Sequence, residues 1–134
     1  MLEKIIELTN LYINDMPKKE RKKYGQFFTS METARFMASL YDMPERKESI
    51  SVLDAGAGTG ILSCAFIEWA EQFAGVKEIN LICYETDENV LELLKKNLEY
   101  GKTCSSKKVN YIIRTENYIL SQYLDFNGMI GGNP

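Results

Sequence analysis

The chain has 134 residues, 45% of them hydrophobic, which is enough for one domain with its own apolar core. Sixteen basic residues against nineteen acidic ones leave a net charge of −3, so no overall positive field announces a nucleic-acid binder. Histidine is absent and Cys64, Cys83 and Cys104 form no C-x-x-C pair, which excludes Ser-His-Asp and Cys-His catalysis, the common zinc sites and a disulfide framework.

Leu2, Ile5, Ile6, Leu8, Leu11 and Tyr12 recur at near-helical spacing until Asn14-Asp-Met-Pro17 ends the run. This first helix reads as a packing helix, against the main domain or against a part of the protein not present here. Glu3, Lys4 and Glu7 interrupt its apolar residues, so it is no signal peptide, and no later stretch reaches membrane-spanning length. A reducing cytoplasm is the expected compartment. Lys18, Lys19, Arg21, Lys22 and Lys23 follow, offset only by Glu20. Two readings stand for them, a solvated linker and a strap that contacts phosphates. Residues 1–23 are accordingly expected to form an N-terminal helix and basic linker, ahead of a domain over 24–134.

Ser30 is the expected N-cap of a helix through Phe36, Met37, Leu40 and Tyr41, with Thr33 three residues on. Ser51-Val-Leu-Asp54 reads as a strand that runs into Ala55 and three alternate glycines, Gly56, Gly58 and Gly60. The spacing is G-x-G-x-G rather than the dinucleotide pattern G-x-G-x-x-G. A helix is expected after Gly60, with Ile61, Leu62, Ala65, Phe66, Trp69 and Phe73 on one broad face and Gly75 at its end. Its N-terminal amides and dipole favour a negative group.

Ile79-Asn-Leu-Ile-Cys-Tyr-Glu85 reads as a second strand ending in an acid, where a mononucleotide-binding βαβ unit places the carboxylate that grips a ribose. The competing role for Glu85, capping the next helix, falls to Asp87. That helix carries Val90, Leu91, Leu94 and Leu98 and is expected to close near Gly101. Val109 to Arg114 is the third expected strand and Asp125 to Ile130 the fourth. Strand–helix alternation argues an α/β fold, a parallel sheet with helices on both faces, and right-handed crossovers give the strand order 3-2-1-4.

The run from Asp54 to Gly60, Tyr84-Glu-Thr-Asp87 and Gly132-Asn-Pro134, in this order, resemble the class I S-adenosylmethionine-dependent methyltransferases. Gly25-Gln-Phe-Phe-Thr-Ser30 narrows the resemblance to adenine-N6 DNA methyltransferases of restriction–modification systems. The resemblance covers residue 24 to the end and implies the N-terminal half of a Rossmann-like fold. It also implies S-adenosylmethionine as cofactor. The helix after Gly60 would then face the methionine carboxylate, Phe28 and Thr29 would lie along the methionine end, and Asp54 would orient the glycine loop or the ammonium group. Glu85 would accept both ribose hydroxyls, Thr86 would pack on adenine where the family has an apolar residue, and Asn117 would meet the adenine amino group where the family has aspartate. Tyr118 would flank the ring.

Asn133 and Pro134 match the start of the family's Asn-Pro-Pro-aromatic motif, whose asparagine oxygen and proline carbonyl accept the two N–H bonds of the target amine. The target would be adenine rotated out of duplex DNA. Methylation of protein glutamine or of RNA adenine remains the alternative enzyme reading, and a non-catalytic cofactor-binding module a third. The 134 residues alone are expected to be inactive, and to associate through the fourth strand's edge or the stripe of helix 2–13.

Overall fold

A computed structural model describes residues 1–19, 28–42 and 47–120. In chain order these form α1 (Leu2–Asn14), α2 (Met31–Ser39), β1 (Ser49–Asp54), α3 (Ile61–Ala70), β2 (Glu78–Tyr84), α4 (Glu88–Cys104) and β3 (Lys108–Arg114). The expected fourth strand from Asp125 to Ile130, the motif residues Asn133 and Pro134, and the basic residues Arg21, Lys22 and Lys23 lie outside the described residues. So do Gly25, Gln26 and Phe27.

The three strands are parallel and adjacent in the order β1-β2-β3. This is an α/β arrangement and accounts for the 3-2-1 part of the expected order; the place of a fourth strand is not among the described residues. Among the described residues the helices pack on one face of this sheet. Ile50, Ile79, Leu81, Cys83 and Val109 share one face and are buried in the core with residues of all four helices. On the other face Leu53, Ile82 and Ile112 stand in one row across the sheet, with Leu53 47% and Ile112 55% exposed. The cause is topological. While strand order runs in one direction, right-handed crossovers put every connecting helix on the same side, and only a reversal at β1 sends a helix to the other.

Helix α3 is the centre of the covered layer. Its sequence predicts one apolar face, yet Ser63, Cys64, Ile67 and Ala70 are buried as well as Ile61, Ala65 and Phe66, because α1, α2 and α4 all pack against it. Full burial of each aliphatic side chain contributes about 1.5–3 kcal/mol. α3 stops at Ala70, well before Gly75, and tightens into turns in which Gln72 and Phe73 donate to the carbonyls of Trp69 and Ala70. α4 runs past Gly101 to Cys104. A Cβ on Gly101 would meet Cys64 Sγ at 3.2 Å and Ile67 Cδ1 at 3.3 Å, so this glycine lets α4 approach α3 closely instead of ending a helix.

The caps follow the sequence. Ser30 Oγ accepts the Thr33 amide at 3.2 Å and Asp87 Oδ1 accepts the Asn89 amide at 3.0 Å, each worth about 1 kcal/mol to its helix. α1 turns Leu2, Ile5 and Thr9 into the chain's own core. Arg35 of α2 ties it down by bonding Glu3 of α1 at 2.7 Å and Glu68 of α3 at 2.7 Å. Lys18 and Lys19 are exposed. No helix among the described residues is long and apolar enough to cross a membrane.

Candidate functional site

The carboxyl ends of β1 and β2 lie side by side, with Asp54 opposite Cys83. Ends of parallel strands are where an open sheet collects ligands, because the turns leaving them carry free amides. From β1 the chain enters the glycine loop, which is fastened almost residue by residue. The Ala57 amide donates to the Tyr84 carbonyl at 2.9 Å, the Gly58 amide to Glu85 Oε1 at 2.7 Å, and the Gly60 amide to the Ala57 carbonyl at 2.8 Å.

Gly60 sits at φ 88° with Leu94 Cδ1 only 3.1 Å from where a Cβ would be. The positive φ favours glycine, and a Cβ would also force Leu94 to shift by a few tenths of an ångström. Gly58, at φ 55°, lies under the Phe28 ring, which would stand 3.4 Å from a Cβ there. Gly56 differs from both: it has no positive φ, and none of the described residues lies within 4 Å of its missing Cβ.

Asp54 closes β1 on the covered face and is only 7% exposed. Its carboxylate accepts Ser63 Oγ at 2.7 Å and the Gly56 amide, while burial pushes its pKa upward. It therefore organises the root of the loop. Glu85 performs two tasks, because its second oxygen accepts the Asp87 amide at 3.0 Å. A carboxylate offers about four lone-pair sites, so both oxygens can still accept a further donor, held in one orientation. Cys64 and Cys83, close behind, have thiols that burial pushes up to about 12 and about 11, which leaves them unreactive.

A cavity of about 310 Å³ opens beside the loop, lined by Ala55, Gly56, Glu85, Thr86, Asn117 and Tyr118 among others. Its size lies at the lower end for small-molecule sites. These six sequence-selected residues are thus brought together. Asp54, Gly58, Gly60 and the start of α3 are not in the lining. Phe28 reaches the loop at Gly58, and Thr29 is half-buried next to the α2 cap.

Three further residues line the cavity that the sequence reading missed: Tyr84, Glu116 and Ile119. Tyr84 lies on the bare face of the sheet by alternation, yet it is buried there, its ring 5.1 Å from that of Tyr118 and inclined at 65°. Asn117 also caps the helical turn that follows it, its Oδ1 accepting the Leu120 amide at 3.0 Å. An asparagine just before Tyr118, Ile119 and Leu120 carried that signal in the sequence.

No family model matches the chain. Over 78 residues it is 38% identical to Type II methyltransferase M.PstI of Providencia stuartii, a match covering 55% of this chain and 15% of that protein. Over 98 residues it is 32% identical to Type II methyltransferase M.BsuBI of Bacillus subtilis, covering 72% of this chain and 19% of that protein. The chain therefore spans less than a fifth of the length of these relatives. Among solved structures, a protein of Pyrococcus horikoshii described as a candidate transferase aligns loosely, with a TM-score of 0.40 at 19% identity, over 65% of this chain and 29% of its own. The methyltransferase resemblance read from the motifs is matched by relatives that bear that name.

Proposed function

We propose that this relative of part of the Type II methyltransferases is the S-adenosylmethionine-binding portion of a DNA methyltransferase that modifies the exocyclic N6 of adenine in a restriction–modification system. The observation that carries the reading is Gly56. Packing and backbone geometry explain Gly60, but nothing among the described residues explains Gly56, which lines the cavity with open space where a Cβ would stand. A glycine there admits a ligand to the backbone. Glu85 would take the ribose hydroxyls with the lone pairs that the Gly58 and Asp87 amides leave. Thr86, Asn117 and Tyr118 would line the adenine end, Phe28 and Thr29 the methionine end, and Ala55 the floor.

Bound S-adenosylmethionine would supply a methyl group carried on a sulfonium. The work of the chain is then positioning, and no histidine base is needed. Asn133 and Pro134 would accept the two N–H bonds of the target amine, which draws its nitrogen toward tetrahedral geometry. That target would be adenine flipped from duplex DNA. The portion 24–134 would constitute the cofactor domain and 1–23 an N-terminal extension. This chain alone would bind cofactor without transferring methyl groups.

Calorimetric titration with S-adenosylmethionine tests the first half. Glu85→Ala should weaken binding by about 1–3 kcal/mol, the range for hydrogen bonds to a charged group, and unchanged affinity would remove the ribose role. In a longer protein that contains this chain, Asn133→Ala should abolish the formation of N6-methyladenine in duplex DNA while cofactor binding persists. Methyl transfer to protein glutamine instead of DNA would select the other substrate.

A further inference from the structure

Thr9 occupies a position on α1 where the apolar stripe calls for a hydrophobe, and it is only 2% exposed. Its hydroxyl donates to the Ile5 carbonyl at 2.8 Å, which commits its single proton. The Thr59 hydroxyl, 2.9 Å away, must therefore be the donor to Thr9. From α4, Asn97 Nδ2 donates to the Thr59 carbonyl at 2.8 Å. Thr59 is thus held at its side chain by α1 and at its backbone by α4.

Neither partner is explained by packing. Valine at position 9 would fill the same space, and a threonine that bonds back to the i−4 carbonyl gives a helix nothing. Asn97 is wholly buried, and its Oδ1 has no partner among the described residues. Leaving such an oxygen unpaired is unfavourable, and what the amide does in return is hold Thr59.

We propose that Thr9 and Asn97 are positioning residues for the cofactor site, clamping Thr59 from two helices so that the glycine loop keeps the shape that presents Gly56 to the ligand. The inference rests on the S-adenosylmethionine reading above. It makes the N-terminal helix part of the loop's support, fifty residues away in sequence, rather than a helix that only covers the core.

The test uses the 134-residue chain with Thr9→Val, Thr9→Ser and the double variant Thr9→Val/Thr59→Val. Amide exchange at Gly58 and Gly60 is measured without cofactor, alongside thermal unfolding and titration with S-adenosylmethionine. Thr9→Val should speed exchange at both glycines and weaken binding, each by about fivefold, the factor that one ordinary hydrogen bond represents. Thr9→Ser, which keeps the hydroxyl, should restore both. The double variant leaves no buried hydroxyl unpaired, so it should recover the wild-type melting temperature but not the affinity.

Recovery of affinity together with melting temperature would overturn the proposal, since α1 would then act through stability alone. If the unsubstituted chain binds no S-adenosylmethionine, the reading of the cavity fails, and the exchange rates decide the clamp by themselves. Unchanged rates at Gly58 and Gly60 in Thr9→Val would overturn it.

Discussion

Gly60 and Gly56 belong to one loop and one pattern, yet they are glycine for different reasons. Gly60 is buried, at positive φ, with Leu94 pressed against the place of its Cβ. Gly56 is exposed, lies outside the left-handed region, and has empty space at the same place. The fold alone demands the first. The second is what the proposed cofactor would demand. On the proposed function the glycine motif is then two motifs superimposed, one written by packing and one by the ligand, and substitution should separate them.

Gly60→Ala should have the largest effect. A left-handed alanine costs about 1–2 kcal/mol, and fitting its methyl against buried Leu94 costs about 1 kcal/mol or more. Chemical denaturation should show a loss of about 2–4 kcal/mol, and a loss below 0.5 kcal/mol would mean that packing does not dictate this position. Gly56→Ala should do the reverse. Stability should hold or rise by up to about 1 kcal/mol, since the unfolded chain loses freedom, while affinity for S-adenosylmethionine falls. An alanine variant that binds as well as the parent would cancel the contrast between the two glycines.

Smaller effects come from two carboxyls that anchor the loop's surroundings and titrate with opposite sign. Burial raises the folded pKa of Asp54 above its ordinary 3.8, so the native state holds that proton more tightly than the unfolded chain does. Its contribution to stability falls as pH rises from 3.8 through the folded value. Asp54→Asn should flatten this part of the stability curve, and an unaltered slope would refute the assignment. Glu3, bonded to Arg35, is lowered from 4.5 to about 2. Its contribution is complete above pH 4.5 and is lost as pH falls toward 2. The pair is exposed and screened, so Glu3→Gln should produce the least change of the four, a slight loss of stability at neutral pH that vanishes near pH 2. A loss of equal size at both pH values would show that the charge of Glu3 is not what fastens α1.

Much of this was legible in the residues themselves, because periodicity and caps are local. Val52 and Leu53 before alternate glycines, Ile79 to Tyr84 before an acid, and Ser30 and Asp87 as caps mark their elements wherever the chain folds. Of the cavity's lining residues, Gly56 and Glu85 could be named in advance from the glycine pattern and a strand end, and Ala55, Thr86, Asn117 and Tyr118 from the resemblance to the methyltransferases. What periodicity reports is that a residue is buried, never by what. For that reason α3 looked one-sided until α1 and α4 closed round it, and Gly101 looked like a stop until Cys64 and Ile67 filled the space beside it. The clamp on Thr59 is the extreme case. Thr9, Thr59 and Asn97 are three unremarkable polar residues in sequence, and their hydrogen bonds exist only because tertiary packing excludes water from the point where α1, the loop and α4 meet, which obliges buried polar groups to find one another.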